Sequence, residues 1–266
     1  MPGGEHLLAE SATEEVARRL SGQGWMFVNG DRFALAKAFS RFRTDSHDTW
    51  EALPADPYAP PDTGRYRRYG RLLWQGNARA GRFRGRLLRV PHLPYHQKAE
   101  FNALAGGIDR TFAPLPDHIS GSALVRRLLR FDLAAAGAGQ GLWEVDMHMV
   151  RIAPGPGGLG RPAPEGVHRD GLDAIAIHLI EASGVEGGVS SVFDDEGREL
   201  GRVRLTRPLD SLLVDDRRLR HFTTPVRRRH TVVTAGPSRG WRDVLLVGMR
   251  RSTSVDGPTT GTRRNG

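Results

Sequence analysis

Trp143-Glu144-Val145-Asp146-Met147-His148-Met149-Val150-Arg151-Ile152 opens the part of the chain that decides the fold. Six more β-prone segments follow: Asp173–Ile180, Gly188–Phe193, Val203–Thr206, Ser211–Val214, His221–Val226 and Val244–Met249. Each is short, and turn signals separate it from the next. Strands at such close intervals argue for a sandwich or barrel and against βαβ units.

Upstream the pattern is mostly helical. Residues 120–136 carry Leu124, Leu128 and Phe131 at helical spacing. Ser11-Ala12-Thr13-Glu14 has the spacing of a capping box, with Val16 and Leu20 on one face behind it. A short strand, Trp25–Val28, follows, and Asn29-Gly30-Asp31 starts a second helix carrying Phe33, Leu35, Ala36 and Phe39. Residues 45–64, rich in Pro and Asp, read as loop. The expectation is an α+β chain with a single domain over 1–250, helical to about 140 and β-rich from about 141, and a disordered tail over 251–266.

Composition removes several classes of function. The 266 residues suffice for a sizeable core, and the absence of cysteine excludes disulfide scaffolds, zinc–thiolate and iron–sulfur sites and a thiol nucleophile. No apolar run approaches the roughly 20 residues that span a bilayer, and no signal-peptide core follows the start, so a cytoplasmic protein without membrane contact is expected. The formal charge is +9, yet 37 of the 39 basic residues are arginine and they are spread along the chain. Codon bias in a GC-rich genome produces that skew without a nucleic-acid partner, and a solvated basic surface is the expectation.

From Pro154 to Gly166, nine of thirteen residues are Gly or Pro, which reads as a flap or a long surface connection. It leads into His168-Arg169-Asp170. In an extended segment alternate side chains share a face, so the imidazole and the carboxylate point the same way. A carboxylate two residues after a histidine occurs once, about what ten histidines and 30 acidic residues in 266 give by chance. Its context carries the weight: a turn at Gly171, a strand after it, and His221 opening another strand 53 residues on. Two imidazoles and one carboxylate leave coordination positions open, the arrangement suited to iron(II) that must take a bidentate co-substrate and dioxygen. If that co-substrate is 2-oxoglutarate, its far carboxylate calls for an arginine fork. Arg242, at the mouth of the apolar strand Val244–Leu246, is preferred over Arg227, Arg228 and Arg229, whose run reads as a solvated turn.

The ordered set Pro164–Gly171, Gly187-Gly188, Asp215-Asp216-Arg217, His221–Pro225 and Arg242–Leu245 resembles the bacterial 2-oxoglutarate/iron(II) dioxygenases of the isoleucine 4-hydroxylase type. Arg65–Tyr69, Gln97–Asn102, Gly106-Gly107 and Arg110 resemble N-terminal signatures of the same family. The resemblance implies a double-stranded β-helix (a cupin-type jelly roll) with flanking N-terminal helices. It implies iron(II) held by His168, Asp170 and His221, 2-oxoglutarate on Arg242, dioxygen as the second co-substrate, and hydroxylation of an unactivated carbon of a free amino acid or a similar small molecule, in biosynthesis. Thr223, on the His221 face, is a candidate donor to the co-substrate tail. Asp170 itself implies hydroxylation, desaturation or cyclisation, because halogenating relatives carry a small residue at that place. Substrate-binding residues stay unassigned; Arg151, Gln97 and Glu165 have suitable chemistry, whereas His148 and His178 read as core histidines. Two alternatives remain at this stage: a nucleic-acid demethylase of the same superfamily, which the positive charge would suit, and a metal-free jelly-roll binding module.

Overall fold

A computed structural model describes residues 10–79, 83–155, 158–229 and 240–252. The chain opens with helix α1 (Glu10–Gln23), strand β1 (Trp25–Val28), a 3-10 turn (Gly30–Phe33) and helix α2 (Ala36–Glu51). Strands β2 (Arg65–Asn77), β3 (Gly85–Arg89), β4 (Tyr95–His96) and β5 (Asp109–Arg110) precede the short helix α3 (Asp117–Ser120) and α4 (Ala123–Ala135). Then come β6 (Gln140–Ile152), β7 (Ala174–Ser183), β8 (Val185–Gly187), β9 (Val189–Phe193) and β10 (Glu199–Arg204). The last strands are β11 (Ser211–Val214), β12 (Arg220–Thr223), β13 (Val226–Arg228) and β14 (Trp241–Arg251).

The architecture is a jelly roll. Seven strands in the order β1-β11-β7-β14-β6-β2-β3 form the major sheet, with antiparallel pairing throughout. Facing it are a three-stranded sheet, β10-β9-β12, and the pair β13-β8. Along β6, Val145, Met147 and Met149 belong to one core and Val150 and Ile152 to another. Residues Leu245, Val247 and Met249 of β14 follow the first, and Val244 the second. The first core packs under the helices, against Val16, Leu20, Phe42, Leu124, Leu128 and Phe131. The second lies between the two sheets and includes Val192, Leu219 and Val226 from the minor side. Because both faces of the major sheet are covered, its central strands are nearly unbroken apolar runs instead of the alternation of a half-solvated antiparallel sheet.

The division at residue 140 into a helical part and a β part is corrected. β1 joins β11 at one edge of the major sheet, and β2 and β3 form the other, so three of its seven strands come from the first 140 residues. The second helix also starts later than Asn29. Ala34 is left-handed at φ 47, which breaks the chain between the 3-10 turn and α2, and α2 then runs to Glu51 into a stretch expected to be loop. The His221–Val226 segment is two strands, since Thr223 ends β12 and β13 begins after Pro225, with a different partner. The expected tail over 251–266 lies outside the described residues except for Arg251 and Ser252.

His178, on the helix-facing side of β7, is fully buried and hydrogen-bonded to Asp132 of α4 (2.9 Å) and Ser211 of β11 (2.7 Å). These three have the composition of a hydrolytic triad, but all are inaccessible, so they tie helix to sheet. A second tie is Asp210, whose carboxylate accepts from the backbone N–H groups of Gly30 (3.0 Å), Thr206 (2.9 Å) and Arg207 (2.9 Å). Asp210→Ala strands those donors, Gly30 among them in a buried setting, and should cost about 2–4 kcal/mol in urea unfolding with an unchanged m-value.

Candidate active site

His168 and His221 are neighbours across an isolated antiparallel bridge. The His168 N–H donates to the His221 carbonyl (3.1 Å) and the His221 N–H to the His168 carbonyl (2.8 Å). A pair that exchanges both bonds presents its side chains on one face, and the two imidazole centroids are 4.3 Å apart. Asp170, two residues along, turns the same way. Its Oδ1 lies 3.8 Å from His168 Nε2 and its Oδ2 3.7 Å from His221 Nε2. One ligand atom from each of the three falls within 4.8 Å of the others, a spacing able to hold one cation.

The surroundings fix the donor atoms. His168 Nδ1 meets the Gly166 carbonyl at 2.8 Å, which puts its proton there and leaves Nε2 as the free lone pair. Asp216 accepts from the backbone N–H groups of Asp170 (3.0 Å) and Leu172 (2.8 Å), so the turn at Gly171 is held from below. Gln97 donates to Asp170 Oδ1 and to the Asp170 carbonyl, each at 3.1 Å. Burial, with His168 adding to it, drives the His221 pKa down to about 3, so this imidazole is neutral at physiological pH. Burial also opposes charge on His168, but the Asp170 and Glu165 carboxylates outweigh it and raise its pKa. Burial pushes Asp170 up as well, and the two imidazoles and the Gln97 amide more than reverse that, so its pKa falls. Burial, then repulsion from Asp170, takes Asp216 up to about 7.

The trio opens into a cleft between the sheets with about 850 Å³ of space, its mouth included. Arg242, Val244 and Leu246 all line it, so these alternate residues of β14 share the face toward the cleft. Arg242 is only 4 % exposed, and its Nε and Nη2 have no hydrogen-bond partner among the described residues. Burial, then Arg204 nearby, lowers its pKa to about 10, which still leaves it cationic at neutral pH. A buried guanidinium without a partner is costly unless a ligand completes it. Thr223 lines the same cleft, with Oγ1 2.9 Å from Ser190 Oγ. By contrast, Arg227 pairs with Glu186 (2.6 Å) on an exposed edge, and Arg228 donates to the Pro154 carbonyl.

The 2OG-Fe dioxygenase family model matches residues 47–248. This chain belongs to the 2OG-Fe dioxygenase family. Across 254 residues it is 30 % identical to the 3(1)-hydroxy-L-isoleucine 4-dioxygenase of Pantoea ananatis (strain AJ13355), covering 90 % of this chain and 96 % of that protein. The crystal structure of a bsmA homolog from Methylobium petroleophilum PM1 is 30 % identical with a TM-score of 0.72, covering 93 % of this chain and 97 % of that one. The crystal structure of IDO from Bacillus thuringiensis has the same fold at 19 % identity, with a TM-score of 0.70 and coverage of 90 % and 99 %. This dioxygenase accordingly works with iron(II), 2-oxoglutarate and dioxygen. The donor set suits such a metal, and the unpartnered Arg242 guanidinium suits a dicarboxylate co-substrate.

Of the residues with suitable substrate chemistry, Arg151 is occupied: it forks onto Asp243 (2.8 and 2.9 Å) and reaches Glu51 (2.8 Å). Gln97 supports Asp170, and Glu165 lines the cleft with Oε1 3.2 Å from His168 Nε2. His148 is buried as expected, yet it also lines the cleft, and Arg67 donates to its Nδ1 (3.1 Å). Sequence reasoning gave no role to Arg67, Tyr95 or Arg110, which form the wall beside Asp170. Arg67 and Arg110 fall within the signatures Arg65–Tyr69 and Arg110, whereas Tyr95 lies in none of the motifs read from the sequence.

Gly171 has φ +78, and an added Cβ would lie 2.3 Å from the Phe101 ring. Gly171→Ala must therefore strain the turn that carries Asp170, costing about 1–3 kcal/mol. A lowered melting temperature by calorimetry, with loss of divalent-metal affinity, is the expected result.

Proposed function

We propose that the protein hydroxylates an aliphatic carbon of a free α-amino acid or a closely similar small molecule, as a cytoplasmic enzyme of biosynthesis. His168, Asp170 and His221 are the iron ligands in this reading, and Arg242, aided by Thr223, takes the far carboxylate of 2-oxoglutarate. The reciprocal backbone bridge between His168 and His221 carries the metal assignment. The 30 % identity, over 90 % of this chain, to an enzyme named for a hydroxylated isoleucine supports the substrate class.

Iron(II) with bound 2-oxoglutarate supplies, on reaction with dioxygen, the oxidising power that turns C–H into C–OH while 2-oxoglutarate becomes succinate and carbon dioxide. The chain contributes position and dryness. His168 offers Nε2 because the Gly166 carbonyl holds its other nitrogen. Asp170 keeps one oxygen on Gln97 and its backbone on Asp216, so its carboxylate is aimed before any metal arrives. Arg242 gives the co-substrate tail two unused donors in a buried setting, where a charge-assisted pair is strong. The aliphatic walls, Val150, Ile152, Ile175, Ile177 and Leu246, keep water from the reacting centre.

Two outcomes test this reading. Titration of Mn(II) without oxygen should show one tight site, lost in His168→Ala, Asp170→Ala and His221→Ala. Because His221 is already neutral while His168 holds a raised pKa, binding should release a single proton from His168. Affinity should then fall about tenfold per pH unit once the pH is below the His168 pKa; a pH-independent affinity contradicts it. For the reaction, succinate release across the common free amino acids should be stimulated by aliphatic L-amino acids. Arg242→Met should raise the apparent KM for 2-oxoglutarate roughly 100-fold. If no amino acid stimulates release while 2-oxoglutarate still binds, the substrate class is wrong and the dioxygenase assignment stands.

A further inference from the structure

Two arginines in the cleft are buried without a carboxylate partner among the described residues. Arg242 is one. The other is Arg110 of β5, also 4 % exposed. Its Nη2 donates to Gln97 Oε1 (2.8 Å), its Nε has no partner, and no carboxylate lies within ion-pairing distance of it among the described residues. The guanidinium is wedged by aromatic rings, Tyr95 at 4.9 Å and Phe112 at 6.0 Å, so it is held in place rather than free to reach solvent. Its neighbours do not relieve it. Asp56 is shared by Arg65 (3.0 Å) and Arg67 (3.7 Å), and Arg67 is further committed to His148. This corner therefore sets three guanidinium groups against the Asp56 carboxylate, which pairs with Arg65 and Arg67 and not with Arg110, with Glu165 the other carboxylate nearby.

The co-substrate accounts for Arg242 and leaves Arg110 over. Through Gln97, Arg110 stands one side chain away from Asp170, so an anion on it lies beside the metal trio. Glu165 lines the same corner, and its Oε1 lies 3.2 Å from His168 Nε2, the atom a metal would take. A loaded site thus frees a carboxylate near Arg110. We propose that Arg110 and Glu165 form a zwitterion clamp, with Arg110 binding the substrate α-carboxylate and Glu165 its α-ammonium. This rests on the amino-acid reading above and deepens it: a free α-amino acid fits, whereas a substrate whose carboxylate is tied up in an amide or thioester leaves Arg110 unpaired. A buried, unsatisfied charge is an effective rejector of such analogues.

The test uses the full chain with iron(II) and 2-oxoglutarate, without oxygen, and follows substrate binding through the visible charge-transfer band of that complex. The probes are L-isoleucine, L-isoleucinamide (no carboxylate) and 3-methylpentanoate (no ammonium). Wild type should bind L-isoleucine tighter than either analogue. Arg110→Met should weaken L-isoleucine and 3-methylpentanoate about 30-fold or more, with 2-oxoglutarate affinity, read from the same band, unchanged; that band also reports that the variant is folded. Arg110→Lys should recover part of the loss, and Glu165→Gln should weaken L-isoleucine but not 3-methylpentanoate. Equal binding of acid and amide by wild type, or of L-isoleucine by wild type and Arg110→Met, overturns the clamp. If no amino acid proves to be a substrate, the amino-acid reading fails separately and Arg110 is judged on 3-methylpentanoate alone. Binding by wild type that Arg110→Met loses keeps the anion anchor, and equal binding, or none, removes it.

Discussion

Two backbone hydrogen bonds between His168 and His221 are the constraint on which the site depends. They join a loop to the end of a strand, far apart in the chain, and they do so at the proposed ligand residues themselves. Once made, the side-chain faces follow from the geometry of an antiparallel pair, and Asp170 follows from the period of two. No long side chain has to search for the metal; the backbone has already spent the entropy of bringing three donors together. Asp216, Gln97 and the Gly166 carbonyl then remove the remaining freedom of the carboxylate and the first imidazole.

That arrangement needs a sheet stiff enough to hold the loop in place, and the major sheet is stiff because both its faces are packed. Helix-facing positions of β6, β7 and β14 bury Met147, Ala176 and Val247 under the helices. The intervening positions, His148, Ile177 and Leu246, form the wall of the cleft. One alternation thus separates stability from chemistry. Most polar residues on the inner face are paired, and among the described residues Arg242 Nε and Nη2 and Arg110 Nε are guanidinium donors in the cleft without acceptors. Those orphaned donors are where the proposed ligands would complete the interior.

Much of this was legible from residue order. The strands from Trp143 onward, the helix around Leu124, Leu128 and Phe131, and the inward face of Arg242 all follow from local periodicity, because each is a regular element with one or two buried faces. β2 escaped notice: Arg65-Tyr66-Arg67-Arg68-Tyr69 is too charged to read as a buried central strand. The charges are affordable because Asp56 meets Arg65 and Arg67, and Asp146 meets Tyr69 and Arg71. Such pairing is a tertiary fact that no window of sequence contains. The same holds for Gln97, whose amide reaches Asp170 across 73 positions, and for Arg110, whose meaning lies in the partner it lacks. Ala34 shows the limit at short range, since a single left-handed alanine splits what looks like one helix.

A crystal structure of the protein with Mn(II) and 2-oxoglutarate, with anomalous scattering to locate the metal, addresses the central claim most directly. A single anomalous peak should lie about 2.0–2.2 Å from His168 Nε2, an Asp170 oxygen and His221 Nε2, with the far carboxylate of 2-oxoglutarate on Arg242. A metal bound elsewhere, or held by Glu165 in place of one of the three, or a co-substrate tail that leaves Arg242 unpaired, would contradict it.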